Sequence, residues 1–497
     1  MAQKVNIIGA GIAGLSAGCY LQMNGYDTEI FELHTVPGGL CTSWKRKDYT
    51  FDGCIHWLVG SSPHDNFYSL WNELIDMEKI EFVEYDEFFR VENTDGNCIR
   101  IFTDVDKLET ELLEKAPEDK KVITDFTNAI RKFTKLSMPV HKAEETYNLF
   151  DGVKQMKTFL PYLGALKKWG GMSSQEYADL CKNKLLKKTF ELMFIPEMSV
   201  LFLIFTLAWM HKKSAGYPIG GSLKFARLIE KTYLDLGGKI NYGSKVTKIL
   251  TEHDSAQGIQ LEDGTTCNSD LVISAADGHY TIFEMLGGKY INDTIKNYYN
   301  NYETFPSYVQ VSLGISRMFE DVPHSSYILL KEPILIDSDS KFDYCSVRVF
   351  NFDPTLAPVG KTVLTSMFTT TNFTYWNDLR INDKEKYLSE KERIGREVIE
   401  ILDKKFGSIK ENIEVVDVST PATVKRYTNN WKGSFEGWIL TPQVGFRQMK
   451  KTLPGLNNFY MIGQWVDPGG GLPTAIKSGR DVAQIICKKD SKKFTVK

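Results

Sequence analysis

"VNIIGAGIAGLSAGCYLQMNGYDTEIFE" occupies residues 5–32, and its succession of apolar run, glycine turn and helical stretch decides how the chain begins to fold. Val5, Ile7 and Ile8 read as a short buried strand. Gly9 permits the tight turn after it, Gly11 lets the backbone close on a pyrophosphate, and Gly14 lets the following helix pack against the sheet. Leu15, Ala17, Cys19 and Leu21 belong to that helix and Gly25 stops it. Its first amides, in the stretch Ala10, Gly11, Ile12, Ala13 and Gly14, point at the bound anion. "DTEIFE" supplies a second strand ending in Glu32, with Leu33 next to it. A carboxylate there accepts ribose hydroxyls and repels a 2′-phosphate, so FAD or NAD is expected and NADP is disfavoured.

The far end of the chain repeats this logic. "NFYMIGQWVDPGGGLPTAIKSGRDVAQII", residues 458–486, gives a strand from Phe459 to Ile462, then Gly463, then a glycine turn at 469–471. A helix follows from about Pro473, so that Gly471, Leu472 and Ala475 sit at its start. Two anion-capturing helix ends on one chain suit a long cofactor with two phosphates. No second complete dinucleotide fingerprint is present: Gly220-Gly221 lacks the spacing and reads as a turn into a helix capped by Ser222.

Size and composition bound the rest. At 497 residues the chain is longer than one core usually grows, so two lobes are expected. The apolar fraction of 42% and charged fraction of 25% are those of an ordinary globular protein. A formal charge of −3 argues against nucleic acid as a partner. The eight cysteines are scattered singly and form no metal-binding pattern, which reads as reduced thiols in the cytoplasm. Met1-Ala2-Gln3-Lys4 runs straight into a strand and leaves no room for a secretory signal.

One apolar run, "MSVLFLIFTLAWM" at 198–210, is too short to span a bilayer, since a crossing takes about 20 apolar residues. It reads as a buried helix, or as one that lines an apolar tunnel or dips into a leaflet beside Lys182, Lys184, Lys187 and Lys188. Peripheral contact with the inner face of the membrane is therefore an expectation.

The opening motif through Glu32 to Gly38-Gly39 resembles the signature of the amine-oxidase-type flavoproteins, which hold FAD tightly. Further stretches are similar to the branch of phytoene desaturases, carotenoid isomerases and retinol saturases. They are "YTFDGCIHWL" (49–58), residues 216–250 from "GYPIGGSLKF" to "KVTKIL", "DPTLAPVGKTVLT" (353–365), "TPATVKRYTNNWKGSFEGW" (420–438) and "PGGGLPTAIKSG" (468–479). The resemblance is weakest over residues 80–210, where only a helical pattern is visible. It implies an α/β chain with a Rossmann-like FAD-binding domain and a discontinuous α+β substrate domain. The FAD-binding parts are expected at 1–75, 216–285 and 425–497. The substrate domain is expected at 76–215, with a helical apolar tunnel, and at 286–424, with a sheet built from "SYVQVSLGIS" and "YCSVRVFNF".

By the same resemblance Val246 contacts adenine through its backbone, Leu40 follows the Gly38-Gly39 pair, and Arg46 reaches cofactor phosphate unless it is only a solvated loop charge. His56 is the weak candidate for a proton donor, with a core hydrogen-bonding role the simpler reading. Asp52 fixes a turn. Asp467 either accepts from a ribityl hydroxyl or caps the following turn. Trp209, Trp438 and Trp465 line the tunnel or fill the core. Glu436 and Arg426 with Tyr427 greet a polar head group if the substrate is a fatty acid; otherwise they are surface ion-pairing residues. The flavin in this branch acts on carbon–carbon bonds of a polyene by desaturation, saturation or isomerisation. A lipid-binding escort protein without redox chemistry is the reading from another class; there the nucleotide turn is degraded, whereas here Gly9, Gly11, Gly14 and Glu32 are intact.

Overall fold

The computed structural model describes residues 2–445 and 449–496. A five-stranded sheet gathers Lys239–Asn241, Asp27–Phe31, Lys4–Ile8, Leu271–Ser274 and Phe459–Met461 in that order, with every pairing parallel. Its strands come from distant parts of the chain, so the nucleotide layer is assembled from both ends and the middle. Val5 and Ile7 are wholly buried under the helices on one face, while Ile8, Phe31 and Val272 on the other face pack against antiparallel strands that carry Val246, Ile249 and Ile259, so both faces are covered as a parallel sheet requires. The first helix, Ile12–Met23, and the last, Leu472–Lys489, pack directly on each other. Gly479 makes that approach possible: a Cβ there would stand 2.7 Å from the Ala13 carbonyl oxygen and the Ala17 nitrogen.

The expected return of the chain through residues 239–274 is present. Val246–Glu252, Ser255–Leu261 and Thr266–Asn268 form an antiparallel three-stranded meander before Leu271–Ser274 joins the parallel sheet.

The second lobe centres on seven strands in the order Ile413–Ser419, Ser307–Ile315, Thr362–Thr370, Ser340–Val349, Ser325–Asp337, Glu87–Glu92 and Cys98–Phe102. All neighbours are antiparallel except Ser325–Asp337 against Glu87–Glu92. The last two strands lie in the stretch read from sequence as merely helical. "EFFRVE" and "CIRIF" do alternate, but they are short and their pairing partner is more than 230 residues away, so the local pattern carried little signal.

One detail differs from expectation. Ser222 is not the cap of its helix, Gly221–Asp235: Gly220 holds that position with φ of 108°, and the Asp52 carboxylate takes the Ser222 amide (2.6 Å) and hydroxyl (2.6 Å). Asp52 also accepts from the Cys54 amide at 2.9 Å, so it fixes its own turn and the helix start together. The run 198–210 forms the helix Val200–His211, almost entirely buried as the first of its two readings has it, with Phe202, Phe205 and Trp209 also lining a cavity. Among the described residues no helix is long and apolar enough to cross a membrane.

Candidate flavin and substrate cavity

One cavity of about 1900 Å³ runs from the nucleotide sheet across the face of the seven-stranded sheet. That is roughly twice the ~1,000 Å³ at the upper end for a small-molecule pocket, so it has room for a dinucleotide and a second long ligand. Gly9, Gly11, Ile12 and Ala13 line one end, together with Glu32, Leu33, Gly38, Gly39, Leu40 and Val246. Gly463, Asp467, Gly471, Leu472 and Ala475 line the same end from the other terminus of the chain.

The two ends converge closely. A Cβ built on Gly463 would sit 3.5 Å from that of Ala13, within van der Waals contact. The first helix starts at Gly11 and the last at Gly471, and no side chain caps either. Their leading amides therefore face the cavity without partners from side chains, a polarity that suits a diphosphate. Gly38 and Gly39 complete the loop: Gly38 donates to the Ala10 carbonyl at 2.8 Å, and Gly11 and Gly38 form a parallel bridge.

Glu32 accepts from the Ala10 amide (2.6 Å) and the His34 amide (2.8 Å) while still lining the cavity. A carboxylate has capacity for further donors, so ribose hydroxyls can add to these. Burial raises its pKa, and the two amides oppose that rise. Ala10 and Gly14 do not line the cavity. Ala10 fixes Glu32 and Gly38 through its backbone, and Gly14 serves packing, since a Cβ there would stand 2.0 Å from the Gly9 carbonyl oxygen.

Arg46 is a correction. It lies on the hairpin Ser43–Arg46/Tyr49–Asp52, half exposed, and its Nε donates to Asp417 Oδ1 at 2.9 Å, away from the cavity. A hairpin that turns back toward the second lobe cannot deliver its tip to the nucleotide. Asp467 lines the cavity with its carboxylate 3.9 Å from Lys451 Nζ. Lys451 is nearly inaccessible and also approaches Glu145 (3.0 Å) and Asp481 (3.9 Å). Burial raises the Asp467 pKa, and Lys451 pulls it back.

His56 lines the cavity, and its accessible surface opens inward. Burial, then Arg348 and His324, hold the imidazole well below its usual pKa, so it is uncharged. Trp209 and Trp465 line the cavity, whereas Trp438 is core: it is fully buried and donates to the Trp465 carbonyl at 3.1 Å. Glu436 is not a surface ion-pairing residue. It lines the cavity beside the C-terminal glycine turn, 3.9 Å from the Cβ site of Gly471, and burial raises its pKa to about 8. Arg426 is exposed and lies over the Tyr427 ring, which itself reaches the cavity.

These features can be set beside known proteins. A sequence profile described as flavin containing amine oxidoreductase matches residues 12–487.

The chain belongs to that family.

FAD is its cofactor, and the unpartnered helix ends, the open side of Gly11 and the spare capacity of Glu32 fit it. The chain of this flavoprotein is 24% identical over 487 residues to the chloroplastic prolycopene isomerase of Arabidopsis thaliana, covering 95% of this chain and 80% of the relative. It is likewise 24% identical to a 4,4'-diapophytoene desaturase of a Methylomonas species, covering 99% and 96%. Among solved structures, an oxidoreductase from Methanosarcina mazei superposes with TM-score 0.59 at 17% identity, covering 97% of this chain and all of the other. A putrescine oxidase double mutant redesigned in cofactor binding gives 0.63 at 13%, covering 98% and 99%. Both structural likenesses are likenesses of fold.

The sequence reading missed the wall opposite the nucleotide. Tyr85, Phe88, His324, Tyr327, Phe342, Tyr344 and Arg348 line it. The period of two in "KFDYCSVRV" does put Phe342, Tyr344, Ser346 and Arg348 on one face. Which face meets the flavin depends on long-range pairing.

Proposed function

We propose that this flavoprotein acts on carbon–carbon bonds of a long unsaturated chain lying in the cavity, by desaturation, saturation or double-bond isomerisation. FAD supplies hydride transfer at its ring. The protein's part is to hold the chain along the aromatic wall and to exclude water from it. The observation that carries this reading is continuity: one cavity joins the paired helix ends to a wall of Phe88, Tyr327, Phe342, Phe202, Phe205 and Trp209. The names of the curated relatives point the same way, since both act on polyenes in desaturation or isomerisation.

We place Gly9, Gly11, Ile12, Ala13, Glu32, Gly38, Gly39, Val246, Gly463, Asp467 and Gly471 in the FAD site, and Trp209 and Trp465 along the bound chain. The domain division given from the sequence is kept as a proposal, supported by the sheet to which each segment contributes strands. Glu436 rather than His56 is the group suited to hold a proton beside the reacting chain, because its carboxyl stays protonated near neutral pH while the His56 imidazole stays uncharged.

Contact with a lipid surface is part of the same proposal. The helix Leu149–Phe159 and the turn after it expose Leu149 (88%), Phe150 (85%), Val153, Met156, Leu160 and Leu163, flanked by Lys154 and Lys157. Phe159, Leu163 and Leu166 of this stretch also line the cavity, which supports loading of an apolar chain from a leaflet.

Anaerobic incubation of the holoprotein with prolycopene, phytoene and unsaturated fatty acids tests the reading. With oxidised flavin, bleaching with loss of two hydrogens from the chain, with dithionite-reduced flavin, reoxidation with gain of two hydrogens, or in either case an isomer of unchanged mass, is the expected result. No product and no flavin response with any chain would contradict it.

A further inference from the structure

Arg348 stands on the strand Ser340–Val349, opposite Thr365, which in turn pairs with Ser312 on the next strand. Its side chain lines the cavity. Among the described residues no carboxylate lies within ion-pairing distance of it. Nη2 donates to the Tyr85 hydroxyl at a long 3.5 Å, and Nη1 is buried with no partner. The ring of Phe350 lies 5.1 Å away.

Asp52 and Asp353, which together with Arg348 act on the Tyr85 hydroxyl, are committed elsewhere. Asp52 serves Ser222 and the Cys54 amide, and Asp353 takes the Tyr217 hydroxyl (3.1 Å), the Gly220 amide (2.9 Å) and Thr355. Two imidazoles flank the guanidinium. His56 is uncharged, and His324, stacked on Tyr85 at 3.6 Å, is pushed down to about 3 by burial and by Arg348 itself. Tyr327, Phe342 and Tyr344 continue this wall, and Lys188, which also lines the cavity, is already paired with Asp343 (2.8 Å) and Glu191 (3.8 Å). A desolvated guanidinium without a counter-charge is costly, and an all-hydrocarbon ligand would leave it so.

We propose that the cavity takes a long unsaturated ligand ending in a carboxylate, and that Arg348 holds this carboxylate with the Tyr85 hydroxyl as a neighbouring donor. The planar fork of N–H groups matches a carboxylate bidentately. A phosphate ester would bring close to two charges to one cation and two neutral rings, so the carboxylate is the better match. The inference rests on the reading that a long chain lies in this cavity, and narrows it from polyenes at large to fatty-acid-like ones.

The test uses the full-length holoprotein with cis-parinaric acid, a fluorescent conjugated tetraene, and its methyl ester. The acid is expected to bind about tenfold or more tightly than the ester, the gain of a charge-assisted pair. Arg348→Met should abolish that preference, Arg348→Lys should keep part of it, and neither should alter ester affinity or FAD content. Equal binding of acid and ester to the wild type would overturn the proposal, as would an Arg348→Met protein that keeps the preference. Should Arg348→Met fail to fold, the wild-type comparison and Arg348→Lys still decide. Conversion of a neutral polyene with no preference for the acid removes this inference alone, whereas failure to bind any chain removes the reading beneath it.

Discussion

Gly11 and Gly14 sit three residues apart in one turn and answer to different constraints. A Cβ at Gly11 meets nothing nearer than the Gly38 carbonyl oxygen at 3.9 Å, on the side where the cavity lies. Gly11→Val should therefore fold and lose FAD. A Cβ at Gly14 would overlap the Gly9 carbonyl, so Gly14→Val should cost about 1–3 kcal/mol or more in overpacking and lower the melting temperature. FAD content and thermal unfolding of the two variants separate the roles. Glu436 gives a pH signature. Its carboxyl keeps a proton in the folded state up to about pH 8, while the unfolded chain releases it at the usual carboxylate value. The folded state thus binds more protons between those limits, and stability falls as pH rises across that window, levelling off above it. Glu436→Gln should remove this slope and stabilise the protein at pH 9 by on the order of 2 kcal/mol, the full linkage being reduced by water in the cavity. Denaturant titrations at pH 5, 7 and 9 would read it; an unchanged slope would place the charge of Glu436 in solvent.

At the scale of elements, the two helix starts were legible because the information is local: strand, glycines and helix follow one another within 28 residues at the N-terminus and 29 at the C-terminus. Where partners lie far apart in the chain, the reading failed. Ser222 looked like a cap because its type and place were right, yet Asp52, 170 residues earlier, holds the helix start. Arg46 looked like a phosphate ligand until its hairpin was seen to turn toward Asp417. The strands Glu87–Glu92 and Cys98–Phe102 needed the distant Ser325–Asp337 to be recognised. The same long-range logic applies to Lys451, which ties Glu145 to Asp467, ahead of the last helix, and to Asp481 within it. Lys451→Met would take from buried Asp467 its ion-pairing partner, while Asp481 keeps Lys477 at 2.5 Å. It should cost about 3–5 kcal/mol and loosen FAD, measurable as flavin release on heating well below the wild-type transition.

Over the whole molecule, a nucleotide layer and an antiparallel sheet enclose a cavity whose two ends differ in chemistry. The nucleotide end is lined by backbone amides and glycines, and the far end by aromatic rings among which Arg348 stands without an ion-pair partner. The exposed helix Leu149–Phe159 flanks this cavity, and replacing Leu149 and Phe150 by glutamate should release the protein from anionic vesicles without lowering its FAD content. The account turns on one geometric statement, that both ends of the chain grip a single FAD whose ring looks onto the aromatic wall. The most direct measurement is the visible spectrum of the purified full-length protein, recorded before and after addition of a polyene. One FAD per chain, with a flavin band that shifts when the polyene enters, is the expected result. A protein that stays colourless after reconstitution with FAD, or a flavin band indifferent to every long unsaturated chain, would contradict it.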